Sequence, residues 1–423
     1  MMVKIPRGTQ DILPGTVEKW QYIESTAKEL CRLYQYQEIR TPVFEHAELF
    51  LRGVGDTTDI VQKEMYVFKD RGNRDLALRP EGTASVVRSF VENKMFGDAN
   101  QPVKLFYTGP MFRYERPQAG RYRQFVQFGV EALGSEDPAI DAEVIALAMS
   151  LYQTLGLKQL KLVINSLGDT ESRTAHRDAL VAHFQPRIGE FCTDCQNRLD
   201  KNPLRILDCK KDRDHELMCS APSILNFLNE ESHAYFEKVQ SYLKSMDVAF
   251  TIDPTLVRGL DYYNHTAFEI MSDAEGFGAI TTLCGGGRYN GLVEMIGGPN
   301  TAGIGFALSI ERLLAALEAE NIDLPIEQKV DCYFVSLGED AKDYSVKLLH
   351  QLRQAGFSAD KDYLDRKTKA QFKAADRVNA EYVAILGEEE LAEKKVKVKD
   401  MESGEQIQLD LEAFVHQFSQ LHN

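Results

Sequence analysis

The spacing of hydrophobic positions changes several times along the chain, and each change predicts a different element. From Val17 to Tyr36 the apolar residues recur at helical spacing, which predicts an amphipathic helix. Shorter runs then predict a strand over 37–45, a hairpin of strands over 65–68 and 76–78, a helix over 83–92, and strands over 103–107 and 124–131. Antiparallel hairpins with flanking helices indicate an α+β layer rather than a doubly wound sheet.

The pattern changes twice more in the second half of the chain. Residues from about 169 to 250 are charged, helical in pattern and richer in Cys and His, which predicts a helical insertion. Strand and helix patterns then resume over 251–256, 265–271, 280–284 and 303–320. Past a linker at 321–325, alternating strands and helices predict a small α/β domain. We therefore expect a first domain over 1–325, with the insertion inside it, and a second over 326–423.

Composition and charge narrow the classes of function. The chain has 423 residues, of which 43% are hydrophobic, so two or three globular domains are expected. The formal charge of −15 argues against indiscriminate binding of nucleic acid, although local basic patches leave room for a selective RNA partner. No window resembles a membrane span and the first residues lack an apolar signal region. Seven cysteines, an odd number, favour a reducing compartment, so we expect a cytoplasmic protein without membrane association.

Two common catalytic motifs are missing from the sequence. There is no G-x-x-x-x-G-K-[ST] loop, which argues against a P-loop nucleotidase. There is no G-x-S-x-G elbow, which argues against an α/β-hydrolase mechanism.

The segment 112–125 carries the densest candidate chemistry. Its sequence, FRYERPQAGRYRQF, consists of two short aromatic runs joined by a turn with Pro117 and Gly120, which predicts a hairpin. It contains four arginines, Arg113, Arg116, Arg121 and Arg123. Guanidinium forks suit phosphate oxygens and aromatic faces suit a base. On this segment alone, a solvated charged hairpin is an equally good interpretation.

Four segments, in this order, resemble the class II aminoacyl-tRNA synthetases. They are LRPEGT at 78–83, the arginine hairpin running on to Glu131, LVRGLDYY at 256–263 and GIGFALSIERL at 303–313. The hairpin resembles motif 2 of that class, and the Gly-rich strand before Glu311 and Arg312 resembles motif 3. The helix that ends in the strand around Pro42 resembles motif 1, a dimer element.

Further segments resemble those peculiar to the histidyl-tRNA synthetase family. They are PRGTQD at 6–11, RGLDYY at 258–263 and GGGRY at 285–289. Motif 3 alone is weakly specific, but the ordered set is highly specific, and the resemblance covers essentially the whole chain. It implies an antiparallel-sheet class II catalytic core with a helical insertion, and a C-terminal α/β anticodon-binding domain.

The resemblance also implies an activity. A member of this family activates L-histidine with ATP to histidyl-adenylate and pyrophosphate, and then transfers histidine to the 3′ end of tRNA(His). The implied substrates and partners are L-histidine, ATP with Mg²⁺, tRNA(His) and a second copy in a homodimer. The alternative is a non-catalytic, synthetase-like regulatory subunit of ATP phosphoribosyltransferase. Such relatives typically lose the motif 2 arginines, the Arg258 segment and the anticodon-binding domain, all of which this sequence contains. A ligase for another carboxylate would leave the C-terminal domain unexplained.

The resemblance assigns roles around ATP. The ATP-binding residues are Arg113 on the α-phosphate, Arg121 and Arg123 on the outer phosphates, Glu115 on the adenine amino group, and Phe125 and Arg312 on either face of adenine. Arg113 and Arg258 are the implied catalytic residues, because a fixed guanidinium can neutralise the charge that develops on the α-phosphate. Without the family, Phe125 is equally well a core residue and Arg312 a surface ion pair.

The implied histidine pocket must recognise an ammonium, a carboxylate and an imidazole. Its residues are Glu81, Gly82, Thr83, Gln127, Glu131, Arg258, Tyr262 and Tyr263. Phe125, Gln127 and Glu131 are separated by even numbers of residues, so they share one face of a strand. Glu131 would accept an imidazole N–H and Tyr263 would meet the other ring nitrogen. From the residues alone, Glu131 is more often part of a strand-edge salt bridge.

The remaining expectations concern RNA and metals. Arg116 and Gln118 resemble the motif 2 loop that meets the acceptor end of tRNA, and the lysine-rich last domain resembles an anticodon-binding domain. One C-x-x-C pair, Cys192 and Cys195, with Cys209 and Cys219 nearby, is a weak zinc signal. Buried reduced thiols are favoured instead, so no tightly bound metal is expected.

Overall fold

The structure is a computed structural model that describes residues 2–55, 58, 60–117, 120–260, 262–275, 277, 281–326 and 329–422. The chain divides into two compact units, Met1–Leu324 and Pro325–Asn423. Over the described ranges, no helix is long and apolar enough to cross a lipid bilayer.

The first unit begins with helix α1 (Val17–Leu33), as the apolar spacing predicted. The strand predicted over 37–45 is wrong in its length, because two short strands, β1 (Gln37–Glu38) and β2 (Phe44–His46), replace it. The reason is the Arg79 guanidinium, to which the backbone carbonyls of Thr41 and Pro42 are hydrogen-bonded at 2.9 and 3.3 Å. Carbonyls used in this way do not extend a ladder.

A small antiparallel sheet follows, and it contains the predicted hairpin. The elements of this region are α2 (Ala47–Val54), β3 (Val67–Lys69), β4 (Asp75–Leu78) and α3 (Thr83–Glu92). The strand order is β2-β4-β3, and β3 pairs with β4 across the turn at 70–73. Helix α3 has the predicted bounds and begins directly after Gly82.

The main sheet of the first unit has eight strands and is mostly antiparallel, which confirms the α+β class. Its further strands are β5 (Val103–Phe112), β6 (Gln124–Leu133), β7 (Leu160–Ser166), β8 (Thr251–Ile252), β9 (Asn264–Ser272), β10 (Thr282–Arg288) and β11 (Gly303–Ser309). The order is β1-β5-β6-β11-β10-β9-β7-β8. Only the end pairs β1–β5 and β7–β8 are parallel within the described residues.

The helices of the first unit are α4 (Pro138–Thr154), α5 (Thr170–Phe184), α6 (Thr193–Lys201), α7 (Glu216–Cys219), α8 (Glu230–Ser245), α9 (Leu292–Met295) and α10 (Ile310–Ala319). One face of the sheet packs on α1, α4, α8 and α10 and forms the main core, to which β6 contributes Phe128 and Val130. The other face packs on α3 and α9, and Phe125 and Leu133 of β6 face this side. Strand β6 therefore alternates as predicted.

The predicted insertion is helical, but not all of it is a separate layer. Its last helix, α8, buries Phe236, Val239 and Leu243 in the main core. Only the part from α5 to α7 has a small core of its own. This core consists of Leu180, Phe184, Phe191, Cys195, Leu199, Ile206 and Cys209.

The second unit is an α/β layer with five strands. Its elements are β12 (Val330–Ser336), α11 (Glu339–Gln354), β13 (Ala359–Lys361), α12 (Thr368–Arg377), β14 (Ala380–Leu386), α13 (Glu388–Ala392), β15 (Lys395–Asp400), β16 (Gln406–Asp410) and α14 (Phe414–His422). The order is β13-β12-β14-β15-β16. Strand β16 was not predicted, because every residue of QIQLD except Leu409 is polar or exposed and the run resembles a loop.

Candidate active site

The centre of the candidate site is the Glu131 carboxylate on β6. Its side chain is fully buried, and three hydroxyl groups donate hydrogen bonds to it. Thr83 Oγ1 and Tyr107 Oη donate to Oε1 at 2.6 and 3.4 Å, and Tyr289 Oη donates to Oε2 at 2.5 Å. Burial raises the pKa of Glu131 to about 8, although the three hydroxyls act in the opposite direction.

Glycines on β6 itself and on the neighbouring strand β11 make room for this carboxylate and its partners. A Cβ atom built on Gly305 of β11 would lie 1.9 Å from Glu131 Oε2. A Cβ on Gly129 of β6 would lie 2.4 Å from Tyr107 Oη. Because real Cβ atoms do not approach other atoms so closely, these positions require glycine for the carboxylate and its partners to meet.

Glu81 lies at the amino end of α3. Its carboxylate accepts the backbone N–H groups of Thr83 and Ala84, both at 2.8 Å. Burial raises the pKa of Glu81, and these N–H groups and the nearby Arg113 oppose the rise. The structure thus brings Glu81, Gly82 and Thr83 to the Glu131 pocket, since Thr83 contacts both carboxylates.

Gln127, Tyr262 and Tyr263 form the rest of this pocket. Gln127 is buried, and its Oε1 atom has no hydrogen-bond partner among the described residues. The Tyr262 and Tyr263 rings are also buried, with centroids 4.6 Å apart. Tyr262 packs edge-on against Tyr289 at 5.7 Å, which links it to the residue that donates to Glu131.

Arg258 lies against the Tyr263 ring, with its guanidinium carbon 5.3 Å from the ring centroid. Its Nη1 atom donates to Glu269 Oε1 of β9 at 2.5 Å. Gly285 of β10 provides the space, because a Cβ there would lie 2.2 Å from Arg258 Nη2. The three glycines at 285–287 lie inside β10, between β9 and β11, and are not part of a turn.

Arg113 follows the end of β5. It donates through Nε to the Pro80 carbonyl at 2.8 Å, and its guanidinium lies 5.4 Å from the Phe125 ring centroid. Glu115 is close to two arginines: its carboxylate lies 3.8 Å from Arg113 Nη1 and 3.2 Å from Arg121 Nη1. Glu115 therefore lies close to two arginines that the resemblance assigns to phosphates.

Arg123 and Arg312 lie near the group formed by Arg113, Glu115 and Arg121. The Arg123 guanidinium stacks on Tyr114 at 3.8 Å from the ring centroid, and Arg123 Nε donates to the Glu115 carbonyl at 3.3 Å. Arg312 lies 5.7 Å from the Phe277 ring centroid. Burial lowers the pKa of Arg312, and the charge of Arg121 lowers it further, which brings Arg312 into the same electrostatic group.

The start of β6 is connected to the start of α10 by a hydrogen bond from backbone to side chain. The Val126 N–H donates to the Glu311 carboxylate at 2.9 Å, and Glu311 lies beside Arg312 at the start of α10. The elements that carry Phe125 and Arg312 are therefore adjacent, while the cation–ring contacts of these two residues are Arg113 with Phe125 and Arg312 with Phe277.

Two arginines from distant segments line one cavity of about 480 Å³. Arg113 and Arg258 both border it, together with Glu115 and Arg121. The cavity also receives residues of the insertion: Asp194, Arg198, Arg205, Asp208, Cys209, Lys210 and Lys211. The arrangement can hold a polyphosphate beside a buried carboxylate pocket.

The tRNA candidates are only partly described. Arg116 is exposed and borders a shallow surface pocket with Arg7 and Arg123, whereas Gln118 lies outside the described residues. In the second unit, Lys361 and Arg366 do not contribute to an open basic face. Lys361 Nζ donates to the Lys342 carbonyl at 3.3 Å, and Arg366 forms an ion pair with Asp362.

Several site residues were missed by the sequence reasoning. Tyr107 and Glu269 contact Glu131 and Arg258, respectively, and Phe277 lies beneath Arg312. Tyr107 could have been found from the alternation of its strand, since residues 105, 107 and 111 share the pocket face. No local pattern distinguishes Glu269, whose partner is brought to it by the fold.

Comparison with known families decides the relationship. The family model described as histidyl-tRNA synthetase matches residues 8–313, and the one described as an anticodon-binding domain matches residues 331–421. The chain belongs to the histidyl-tRNA synthetase family. Like other members of this family, it is an aminoacyl-tRNA ligase in which a class II catalytic core precedes an anticodon-binding domain.

Relatives within the histidyl-tRNA synthetase family match along the whole length. The histidine–tRNA ligase of Anoxybacillus flavithermus is 74% identical over 415 residues, which cover 98% of each chain. That of a Geobacillus species is 71% identical with the same coverage. A crystal structure of apo Staphylococcus aureus histidyl-tRNA synthetase matches with a TM-score of 0.86 and 55% identity, covering 99% of this chain and 100% of that one. A Bacillus halodurans structure titled as an ATP phosphoribosyltransferase regulatory subunit/histidyl-tRNA synthetase, with 23% identity and a TM-score of 0.66, shares the fold.

Proposed function

We propose that this chain is a histidine–tRNA ligase, which activates L-histidine with ATP and then joins it to the 3′ end of tRNA(His). The observation that carries the proposal is that Arg113 and Arg258 border one cavity and also contact segments of the buried pocket, since Arg113 donates to the Pro80 carbonyl and Arg258 lies against Tyr263. Full-length identity to curated histidine–tRNA ligases supports the same activity.

The first step forms a bond between a carboxylate oxygen of histidine and the α-phosphorus of ATP, and breaks the bond to pyrophosphate. Negative charge then develops on the oxygens of the α-phosphate. Arg113 and Arg258 would neutralise this charge, and each charge-assisted hydrogen bond contributes about 1.5–3 kcal/mol. Arg121 and Arg123 would hold the outer phosphates until pyrophosphate leaves.

The outer arginines must first release their present partners. Arg121 pairs with Glu115 at 3.2 Å, and Arg123 stacks on Tyr114. We infer that ATP replaces these contacts, so that Glu115 becomes free to accept the adenine amino group. The adenine ring would then lie between Phe125 and Arg312.

Histidine would occupy the buried pocket around Glu131. Glu81 and Thr83 would accept hydrogen bonds from the ammonium group of histidine. Gln127 Oε1, which has no partner among the described residues, would accept a further one. The imidazole would meet Glu131 and Tyr263. A pocket that hydrogen-bonds a polar ring can reject amino acids without that ring by roughly 10⁴–10⁵.

Mg²⁺ would arrive as part of the ATP complex, where it neutralises phosphate charge. Glu115 and Glu269 are carboxylates of the arginine group, and each is already paired with an arginine. Neither Glu115 nor Glu269 belongs to a group of three or more metal-ligating side chains among the described residues. We infer that phosphate oxygens and water supply most of the ligands, as is usual for this ion.

The second step transfers histidine from the adenylate to a ribose hydroxyl of the tRNA, with release of AMP. Arg116, exposed on the motif 2 loop, and Gln118 are our candidates for the acceptor end. The second unit would bind the anticodon. We assign the reaction to the cytoplasm, consistent with seven cysteines that are all free thiols.

We also propose a homodimer, formed in part through the small sheet that contains β2 and β3. Phe44 and Phe68 on these strands expose 53% and 43% of their surface, and Val67 exposes 51%. The double variant Phe44→Glu/Phe68→Glu is expected to convert a dimer to a monomer in sedimentation velocity. Val346→Glu, at an exposed position in the second unit, is the control. An unchanged sedimentation coefficient for the double variant would contradict this interface.

The test of the function is histidine-dependent exchange of pyrophosphate into ATP, measured with each standard amino acid in turn. Exchange should require histidine, and tRNA(His) should be charged when it is added. A protein that supports no exchange would favour the regulatory alternative. Equal exchange with phenylalanine or serine would refute the assignment of the pocket.

A further inference from the structure

The insertion contains a group of four metal-ligating side chains that the proposed reaction does not use. The Sγ atoms of Cys192, Cys195 and Cys209 and a carboxylate oxygen of Asp212 all lie within 4.8 Å of one another. Cys195 and Cys209 are buried, and the other two are half-buried. All three cysteines are free thiols.

The distances within the group fit a tetrahedral ion. With Zn–S bonds of about 2.3 Å, neighbouring sulfurs of a tetrahedral site lie about 3.8 Å apart. Cys192 Sγ and Cys209 Sγ are 3.7 Å apart, and Cys209 Sγ lies 3.3 Å from Asp212 Oδ2. A disulfide would instead require about 2.05 Å between the sulfurs.

The sequence spacing is that of two short ligand pairs. Cys192-x-x-Cys195 is followed, after residues 196–208, by Cys209-x-x-Asp212. The weak zinc signal in the sequence arose because the fourth ligand position holds aspartate rather than cysteine, and because Cys219 is not part of the group. Carboxylates are ordinary zinc ligands, so the C-x-x-D pair completes the set.

The backbone already holds the ligands in place. Cys192 is the residue that precedes α6, and Cys195 lies in the first turn of that helix. The Cys192 N–H donates to both carboxylate oxygens of Asp212, at 3.1 and 3.2 Å. Such outer contacts orient ligands in known metal sites.

This part of the insertion also lacks a large core. Its buried cluster has seven members, and Cys195 and Cys209 are two of them. Small structural units with few buried apolar residues are commonly stabilised by a metal or by disulfides. A metal at this position would fix the turn at 209–212. Cys209, Lys210 and Lys211 of this turn line the cavity that Arg113 and Arg258 border.

We propose that Cys192, Cys195, Cys209 and Asp212 form a structural site for Zn²⁺ in the insertion. This differs from the sequence-based expectation of buried reduced thiols and no tightly bound metal. The site does not depend on the proposed ligase activity.

The first test is the metal content of the full chain, purified without a polyhistidine tag, without chelators and under reducing conditions. Elemental analysis should give about one zinc per chain. The variants Cys195→Ala and Cys209→Ala should each contain less than about a tenth of that amount. Cys219→Ala, which removes an exposed cysteine outside the group, should keep the zinc.

A second test uses the unaltered chain, so it does not depend on whether a variant folds. Zinc should protect Cys192, Cys195 and Cys209 from alkylation, and a strong chelator should expose them, as mass spectrometry of peptides can measure. Cys219 should react in both conditions. Cobalt added to the chelated protein should give the strong near-ultraviolet absorption of cobalt bound to thiolates.

Three results would overturn the site. One is a zinc-free protein that takes up neither zinc nor cobalt under reducing conditions. The second is a disulfide between Cys192 and Cys209 in protein isolated without added reductant or oxidant. The third is equal alkylation of the three cysteines with and without chelator.

Discussion

At the residue level, Glu131 is the carboxyl group whose chemistry the fold changes most. Burial raises its pKa to about 8, so a proton is retained near neutral pH that an exposed glutamate would release. Three hydroxyl donors keep the group oriented. An incoming imidazole would therefore meet a preorganised carboxyl group rather than a mobile one.

This shifted pKa predicts a pH dependence of stability. The unfolded chain loses the Glu131 proton at about pH 4.3, whereas the folded chain retains it to about pH 8. Between these values the folded state binds more protons, so the free energy of unfolding falls as pH rises, by at most about 1.4 kcal/mol per pH unit from this group. Glu131→Gln should flatten the fall in the thermal midpoint between pH 5.5 and 7.5.

The control for that measurement is Glu294→Gln, because Glu294 is exposed on α9. It should retain the slope of the parent chain. A slope in Glu131→Gln equal to that of the parent would show that this carboxyl group is ionised in the folded state.

Arg258 is predicted to depend on its planar fork rather than on charge alone. Arg258→Lys keeps a cation but cannot reach both Glu269 and a phosphate oxygen. We expect the rate of histidine-dependent pyrophosphate exchange to fall by about 10²-fold or more, with little change in the thermal midpoint. Arg32→Lys, in an exposed ion pair with Glu29, should exchange at the parent rate. An exchange rate for Arg258→Lys within twofold of the parent rate would contradict a catalytic role for Arg258.

The candidate site could be predicted largely because the family resemblance carried residue roles across distant segments. Elementary patterns alone supported less. They put Phe125, Gln127 and Glu131 on one face of a strand, but they could not give the partners of Glu131. Thr83 and Tyr289 approach from separate elements, and only packing brings their hydroxyls to one carboxylate.

At the level of elements, β10 shows how a strand can be shaped around a side chain. Its glycines leave space on both faces of the sheet: Gly285 for the Arg258 guanidinium and Gly286 for the Phe268 ring, to which a Cβ would approach within 2.5 Å. Glycine inside a strand is costly in conformational entropy, and here the close approach explains it.

Gly285→Ala tests this explanation. The added methyl would lie 2.2 Å from Arg258 Nη2 and would displace the guanidinium from its present position. We expect kcat for pyrophosphate exchange to fall about tenfold or more while the fold is retained. Gly291→Ala is the matched control, since a Cβ there meets nothing within 4 Å. Equal kcat values for the two variants would contradict the role given to Gly285.

The elements were predictable where apolar periodicity was strong and less so where side chains replaced backbone partners. Helices α1 and α3 and the pairing of β3 with β4 follow from local pattern. The break between β1 and β2 does not, because it depends on Arg79, which lies far along the chain. The helical pattern of α8 could be recognised in the sequence, but the core against which the helix packs could not be predicted from it.

At the level of the whole molecule, the two units have separate cores. The first contains the arginine cavity and the Glu131 pocket, and the second buries Phe334, Phe414 and Phe418 in a core of its own. If adenylation needs only the first unit, the two steps of the proposed reaction should be separable.

A chain that ends at Leu324 tests this separation. It should catalyse histidine-dependent pyrophosphate exchange at a rate within a few fold of the full chain, but charge tRNA(His) far more slowly. The full chain, assayed with the same tRNA preparation, is the reference. Efficient charging by the shortened chain would show that the second unit is not needed to recognise tRNA.

The two faces of β6 lead to one last consequence. Residues 125, 127 and 131 lie on the face of β6 to which we assign the ligand pocket, and residues of the other face, such as Phe128 and Val130, lie in the main core. A single-residue deletion or insertion within 124–133 would move the following side chains to the opposite face of the sheet. Carboxyl and amide groups would then face the apolar core, and large apolar side chains would face the pocket. Substitutions within this strand can therefore be tolerated, whereas insertions and deletions are not. In an alignment of relatives, we expect gaps to fall in the loops before and after β6.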